Sequence, residues 1–128
     1  MSTNYYLVSR NPDDTETFER AGLTYEYGKF NVSAHLCKKS VGWDPLFQLH
    51  PGARSVKALL RVIGTMPDTV QILDEYGTEL TREQFREMVE EWRSGMEDGE
   101  YEELHRNYPG QSLTIDGEGF ALESGWFA

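Results

Sequence analysis

The run Thr81-Arg82-Glu83-Gln84-Phe85 constrains this chain more than any other stretch of it. Thr-x-x-Gln is a capping box, in which the Thr81 hydroxyl accepts from a backbone N–H of the first turn and the Gln84 side chain reaches back to the cap. Leu80 and Phe85 suit a hydrophobic staple across the same start. Phe85, Met88, Val89 and Trp92 then form one apolar stripe, with Glu83, Glu87, Glu90 and Glu91 facing water. Gly95 is a reasonable stop. The stripe needs a partner surface, since Trp92 alone brings about 200 Å² to be buried. A sheet supplies it.

The strands are read from β-prone residues and turn signals. Residues 4–9 are aromatic and β-prone. Arg10-Asn11-Pro12-Asp13-Asp14 is a turn signal, and Thr15 to Arg20 can form one helical turn. In residues 25–37, Phe30, Val32, Ala34 and Leu36 share one strand face, and Asn31, Ser33, His35 and Cys37 the other. Gly28-Lys29 marks a bulge or turn inside this run. Residues 41–49 read as a further strand, with Pro45 demoting its first part to an edge or kink. After His50-Pro51-Gly52, Ser55 is an N-cap for a helix carrying Val56, Leu59, Leu60 and Ile63, ended by Gly64 and Pro67. Residues 70–73 make a short strand closed by Asp74-Glu75-Tyr76-Gly77. Residues 96–111 read as a loop or short helix. Residues 112–115 and 119–127 read as a hairpin over Asp116-Gly117-Glu118. There is no internal repeat. The order predicts one α+β domain over residues 1–128, a mostly antiparallel sheet with two main helices packed on one face.

At 128 residues the chain is long enough to bury a core without disulfides, and its 12% aromatic content belongs to folded chains. Cys37 is the single cysteine, which suits a reducing cytoplasm. The first residues lack a basic region and a long apolar run, so no signal peptide is expected. No stretch reaches the roughly 20 apolar residues of a membrane span. The net charge is −10 and uneven: eight Lys/Arg against six Asp/Glu in residues 1–64, but four against sixteen in residues 65–128. A field of this sign repels phosphate backbones and anionic membranes, so direct nucleic-acid or membrane binding is not expected. A basic protein partner fits. Its contact would be the densest patch, Glu97, Asp98, Glu100, Glu102 and Glu103; the bland reading of the same patch is a solubilising surface.

An ordered set of landmarks runs along the chain. They are Asn4-Tyr5-Tyr6-Leu7; His35-Leu36-Cys37-Lys38-Lys39-Ser40-Val41-Gly42-Trp43 with Leu46-Phe47-Gln48-Leu49-His50; Ile72-Leu73-Asp74-Glu75-Tyr76-Gly77; and Asp116-Gly117-Glu118-Gly119-Phe120. Together these resemble a family of small bacteriophage and prophage proteins of unassigned function. Its members often begin Thr-Asn-Tyr-Tyr-Leu, carry a Lys-Ser-x-Gly-Trp stretch, and place Asp-Glu-Tyr-Gly before a helix. Many also carry a cysteine cluster after the first strand. Residues 10–30 hold no cysteine here, so the resemblance carries over no metal site. It implies a phage origin and a life in the host cytoplasm.

Four constellations could carry chemistry. His35 and Cys37 are placed on one strand face, where they are half of a zinc site or a nucleophile pair; a buried strand pair is the bland reading. Lys38, Lys39 and Trp43 could hold an anionic, base-bearing ligand, although the full phosphate-loop pattern is absent. Asp74-Glu75 and Asp116-x-Glu118 could hold Mg²⁺ or do acid–base work if the fold brings them together; turn chemistry also explains both pairs. The aromatics Tyr5, Tyr6, Tyr25, Tyr27, Trp43, Trp126 and Phe127 exceed what a core of this size must hold, and some could form a partner patch. The reading expected from all this is a phage accessory protein, not an enzyme and without cofactor or metal, that binds a host protein for takeover or counter-defence. A ligand- or nucleotide-sequestering protein and a metal-dependent hydrolase stand as alternatives.

Overall fold

The computed structural model describes residues 2–96 and 113–125. Among them the chain runs β1 (Ser2–Ser9), α1 (Asp14–Arg20), β2 (Val32–Ser40), β3 (Leu46–Gln48), α2 (Val56–Thr65), β4 (Gln71–Asp74), β5 (Glu79–Leu80), α3 (Arg82–Gly95), β6 (Leu113–Ile115) and β7 (Ala121–Glu123). The strands form one sheet in the order β5-β4-β1-β2-β3-β7-β6. Every pairing is antiparallel except β3 with β7. The fold is therefore α+β with a mostly antiparallel sheet. No described helix is long and apolar enough to cross a membrane.

The capping box closes as the sequence predicts. Gln84 N–H donates to the Thr81 hydroxyl at 3.0 Å, and Thr81 N–H donates to Gln84 Oε1 at 2.8 Å. The stripe behind it meets the sheet: the Tyr5 ring lies 6.0 Å from Phe85 and 5.8 Å from Trp92, and Phe47 lies 6.4 Å from Trp92 and 5.3 Å from Phe120. Ser55 caps α2 by accepting from Ala58 N–H at 3.0 Å, and Val56, Leu59 and Ile63 are buried in the same core. The Arg82 guanidinium donates to the carbonyls of Met66 and Pro67, tying the start of α3 to the end of α2. Asp116 does similar work for the last hairpin. Its Oδ2 accepts from Val56 N–H at 2.9 Å at the start of α2, while Oδ1 accepts from Glu118 and Phe120 N–H inside the turn.

Three expectations are corrected. First, the single helical turn read at Thr15 to Arg20 is present but longer, a seven-residue helix, α1, anchored by the buried Asp14, which accepts from the hydroxyls of Ser9 and Thr69. Second, residues 25–31 leave the sheet. Tyr27-Gly28-Lys29 turns back, Glu26 bridges Ser33, and β2 starts only at Val32. Third, residues 41–45 form a turn with Gly42 at φ 81°, so β3 is confined to Leu46–Gln48. The acidic patch at Glu97, Asp98, Glu100, Glu102 and Glu103, with Trp126 and Phe127, lies outside the described residues.

The parity of β2 also differs from expectation. Tyr5 pairs with Cys37 and Tyr6 with His35, so Leu36 is an extra residue at a bulge. A bulge breaks strict alternation, and the residues on either side of it change face relative to a regular strand. Cys37 therefore joins Tyr5 on the core face, while His35 joins Tyr6 on the other.

Candidate functional site

The second face of the sheet carries Asn4, Tyr6, Val8, Ser33, His35 and Gln48. It is built on polar bonds. Gln48 Nε2 donates to the carbonyls of Glu123 and Gly125, both at 3.0 Å, which leaves Gln48 Oε1 facing His35 Nδ1 at 3.2 Å. His35 Nε2 lies 2.9 Å from Asn4 Oδ1, so each ring nitrogen faces an oxygen and a neutral ring can donate to one of the two. Below this, His50 is fully buried between two backbone groups. Its Nδ1 accepts from Thr24 N–H at 2.9 Å, so the proton sits on Nε2 and goes to the His35 carbonyl at 2.8 Å. Burial is the chief cause that lowers the pKa of both rings. Glu123 is buried beside Gln48; its Oε1 accepts from Gly125 N–H, and its Oε2 has no hydrogen-bond partner among the described residues.

Two concavities open on this face, each of about 280 Å³. One is walled by Thr24, Tyr25, Ser33, His35 and Gln48. The other lies between Tyr6, Tyr27 and Phe30 on one side and Asp74 and Glu75 on the other. They share Glu26 and Ser33, so the residue 24–31 excursion is the wall common to both. Tyr25 and Tyr27 brace that wall, with ring centroids 5.8 Å apart at nearly a right angle. Tyr27 and Tyr76 stand out of the surface at 65% exposure each. Asp74 Oδ1 accepts from the N–H groups of Tyr76 and Thr78, and Glu75 Oε1 accepts from Asn4 N–H at 2.8 Å. The turn read at 74–77 is thus held by Asp74, while Glu75 ties it to β1.

The residues singled out in the sequence fare unequally. His35 and Cys37 are on opposite faces, so they make neither a zinc pair nor a nucleophile pair. Cys37 is fully buried, and burial raises its thiol pKa well above the usual range, which holds it protonated. No cluster of three metal-ligating side chains occurs among the described residues. Asp74-Glu75 and Asp116-Glu118 lie near opposite edges of the sheet, five strand steps apart. At about 4.8 Å per step this is roughly 24 Å, far beyond sharing one ion. Lys38 and Lys39 alternate faces. Lys39 borders a third concavity, of about 400 Å³, with Trp43 and Trp92, but Asp44 and Glu91 border it too. Its Nζ donates to the Ser40 carbonyl at 2.8 Å. Lys38 instead pairs across the sheet with Asn4, on the His35 side.

Comparison with protein-family models, with curated proteins and with solved structures found no match to this chain.

Glu26, Gln48, His50 and Glu123 were not singled out by sequence. One signal was present: Tyr25, Tyr27 and Phe30 around Gly28 put too many aromatics beside a turn for a core strand. That signal marks the wall. The Gln48–His35–Asn4 line depends on pairing between distant strands and left no local trace.

Proposed function

We propose that this chain is a binding protein without catalytic activity of its own, and that it engages a protein partner through the second sheet face. The observation that carries this reading is Tyr27, 65% exposed in the wall of an open concavity, with Tyr76, equally exposed, in the chain between two other lining residues, Glu75 and Gly77. Large aromatics with a polar tip are the side chains that concentrate binding energy in protein interfaces. The separated carboxylate pairs and the buried Cys37 also favour binding over catalysis.

The acidic stretch with Glu97, Asp98, Glu100, Glu102 and Glu103 acts in this reading as the steering charge, which raises the encounter rate with a basic partner. The resemblance to phage proteins makes the partner a host protein and the setting the host cytoplasm, where the chain serves takeover or counter-defence. A nucleotide-sequestering role through Lys39 and Trp43 is the weaker reading, because two carboxylates share that concavity with one lysine.

The test is quantitative capture from bacterial lysate by the immobilised chain. The reading expects a specific protein to be retained, the Tyr27→Ala/Tyr76→Ala variant to lose it at least tenfold, and Glu100→Lys with Glu102→Lys and Glu103→Lys to weaken it most at low salt. Equal capture by wild type and both variants, or no retained protein, overturns it.

A further inference from the structure

The concavity beside Tyr27 has a chemistry of its own. Glu26, Asp74 and Glu75 border it against a single cation, Lys29. Two of these carboxylates act on one phenol: the Tyr6 pKa is raised by burial first, then by Glu75 and Glu26. Glu26 and Glu75 thus both line the concavity within electrostatic reach of Tyr6, which lines it too. Asp74 and Glu75 are also fixed in place, each with one oxygen held by backbone N–H groups. The other oxygen of each makes no hydrogen bond to the described residues. The walls are tyrosine rings, whose faces attract cations. The Phe30 ring already does so, with the Arg10 guanidinium 5.1 Å and the Lys29 ammonium 5.9 Å from its centroid. Tyr6 and Tyr27 are the aromatic walls that neither of these cations covers. The volume, about 280 Å³, suits one long side chain; pockets for drug-sized ligands run to about 300–1,000 Å³.

We propose that this concavity seats an arginine side chain of the protein partner, between the tyrosine rings and the carboxylates of Glu26 and Glu75. Arginine fits better than lysine. Its flat guanidinium lies against an aromatic ring while its fork of N–H groups reaches carboxylates, whereas an ammonium is a compact, strongly hydrated charge. The proposal rests on the protein-binding reading above and names the anchor that reading requires. Together, the seat and the acidic stretch give one preference, for a basic surface with a protruding arginine.

The experiment follows amide chemical shifts of the whole chain during titration with the capped peptide acetyl-Gly-Arg-Gly-amide. Its citrulline and lysine counterparts serve as controls. The Arg peptide is expected to saturate in the millimolar range with shifts at residues 24–31 and 74–78, and the citrulline peptide to bind at least tenfold more weakly. Glu26→Gln with Glu75→Gln is expected to weaken Arg binding similarly. The Glu75→Gln change keeps a side-chain oxygen for Asn4 N–H, so this variant is expected to hold β1 in place. Absent saturation, shifts elsewhere, or equal binding by the citrulline or lysine peptide overturns the arginine seat. If the seat fails while Tyr27→Ala/Tyr76→Ala still abolishes partner capture, the interface stands and only its anchor is wrong. If both fail, the interface falls as well.

Discussion

His50 shows how much one side chain decides here. Its two nitrogens serve one donor and one acceptor of the backbone, so only the neutral ring satisfies both. A protonated ring needs two acceptors, and Thr24 offers an N–H. Thr24 lines the first concavity and leads into Tyr25, Glu26 and Tyr27, so this bond also helps to position them. The sign follows from the lowered pKa of both His35 and His50. The unfolded chain takes up their protons at higher pH than the folded one, so stability is full above about pH 6.5 and falls as the pH drops below it. The charged groups that act on these rings, Lys38 on His35 and His35 on His50, work in the same direction. Urea unfolding at pH 7.5 and 5.5 is expected to show this loss. His50→Leu is expected to reduce the difference between the two pH values and to cost about 1–3 kcal/mol at pH 7.5, because its hydrogen bonds to Thr24 N–H and to the His35 carbonyl are both lost. An unchanged pH difference in the variant would contradict the assignment. None of this was legible beforehand, since His50 reads in sequence as punctuation before Pro51-Gly52.

At the scale of elements, legibility followed locality. The capping box, the stripe of α3 and the Ser55 cap of α2 are set by residues three or four apart, and the structure has them where the sequence places them. The parallel pairing of β3 with β7 joins Gln48 to Glu123, and nothing near either residue announces it. The two-residue β5 is too short to show a period. The Leu36 bulge looked like regular alternation until β1 supplied the register. Glycine placement gives a test at this scale. Gly52 N–H donates to the Gly22 carbonyl at 2.8 Å, and a Cβ on Gly52 would lie 1.9 Å from the Ala21 carbonyl oxygen. Gly52→Ala is therefore expected to destabilise by about 3 kcal/mol or more, since backbone and not a flexible side chain must move. Gly64 lies inside α2 with nothing within 4 Å of an added Cβ. Gly64→Ala is expected to stabilise by about 0.5–1 kcal/mol. Denaturant midpoints of the two variants check the contrast, and equal effects would refute the close approach of the two loops.

Across the whole molecule, the sheet separates duties between its faces. One face takes the aromatic and aliphatic side chains of β1, β2 and β3 into the core with α3. The other carries buried polar bonds beneath two openings edged by tyrosines. The strand order puts the carboxylate turns near opposite edges, where Asp74 and Asp116 each hold their own turn while Glu75 and Asp116 also reach Asn4 and Val56. The fold class was readable from element order, but the division between faces was not, because it turns on one bulge and on where residues 25–31 leave the sheet. Hydrogen–deuterium exchange of the chain, alone and with its captured partner, measures that division directly. The account predicts slowed exchange on binding at residues 24–31 and 74–78, with residues 39–45 unchanged. Slowing confined to residues 39–45, around Lys39 and Trp43, would contradict it.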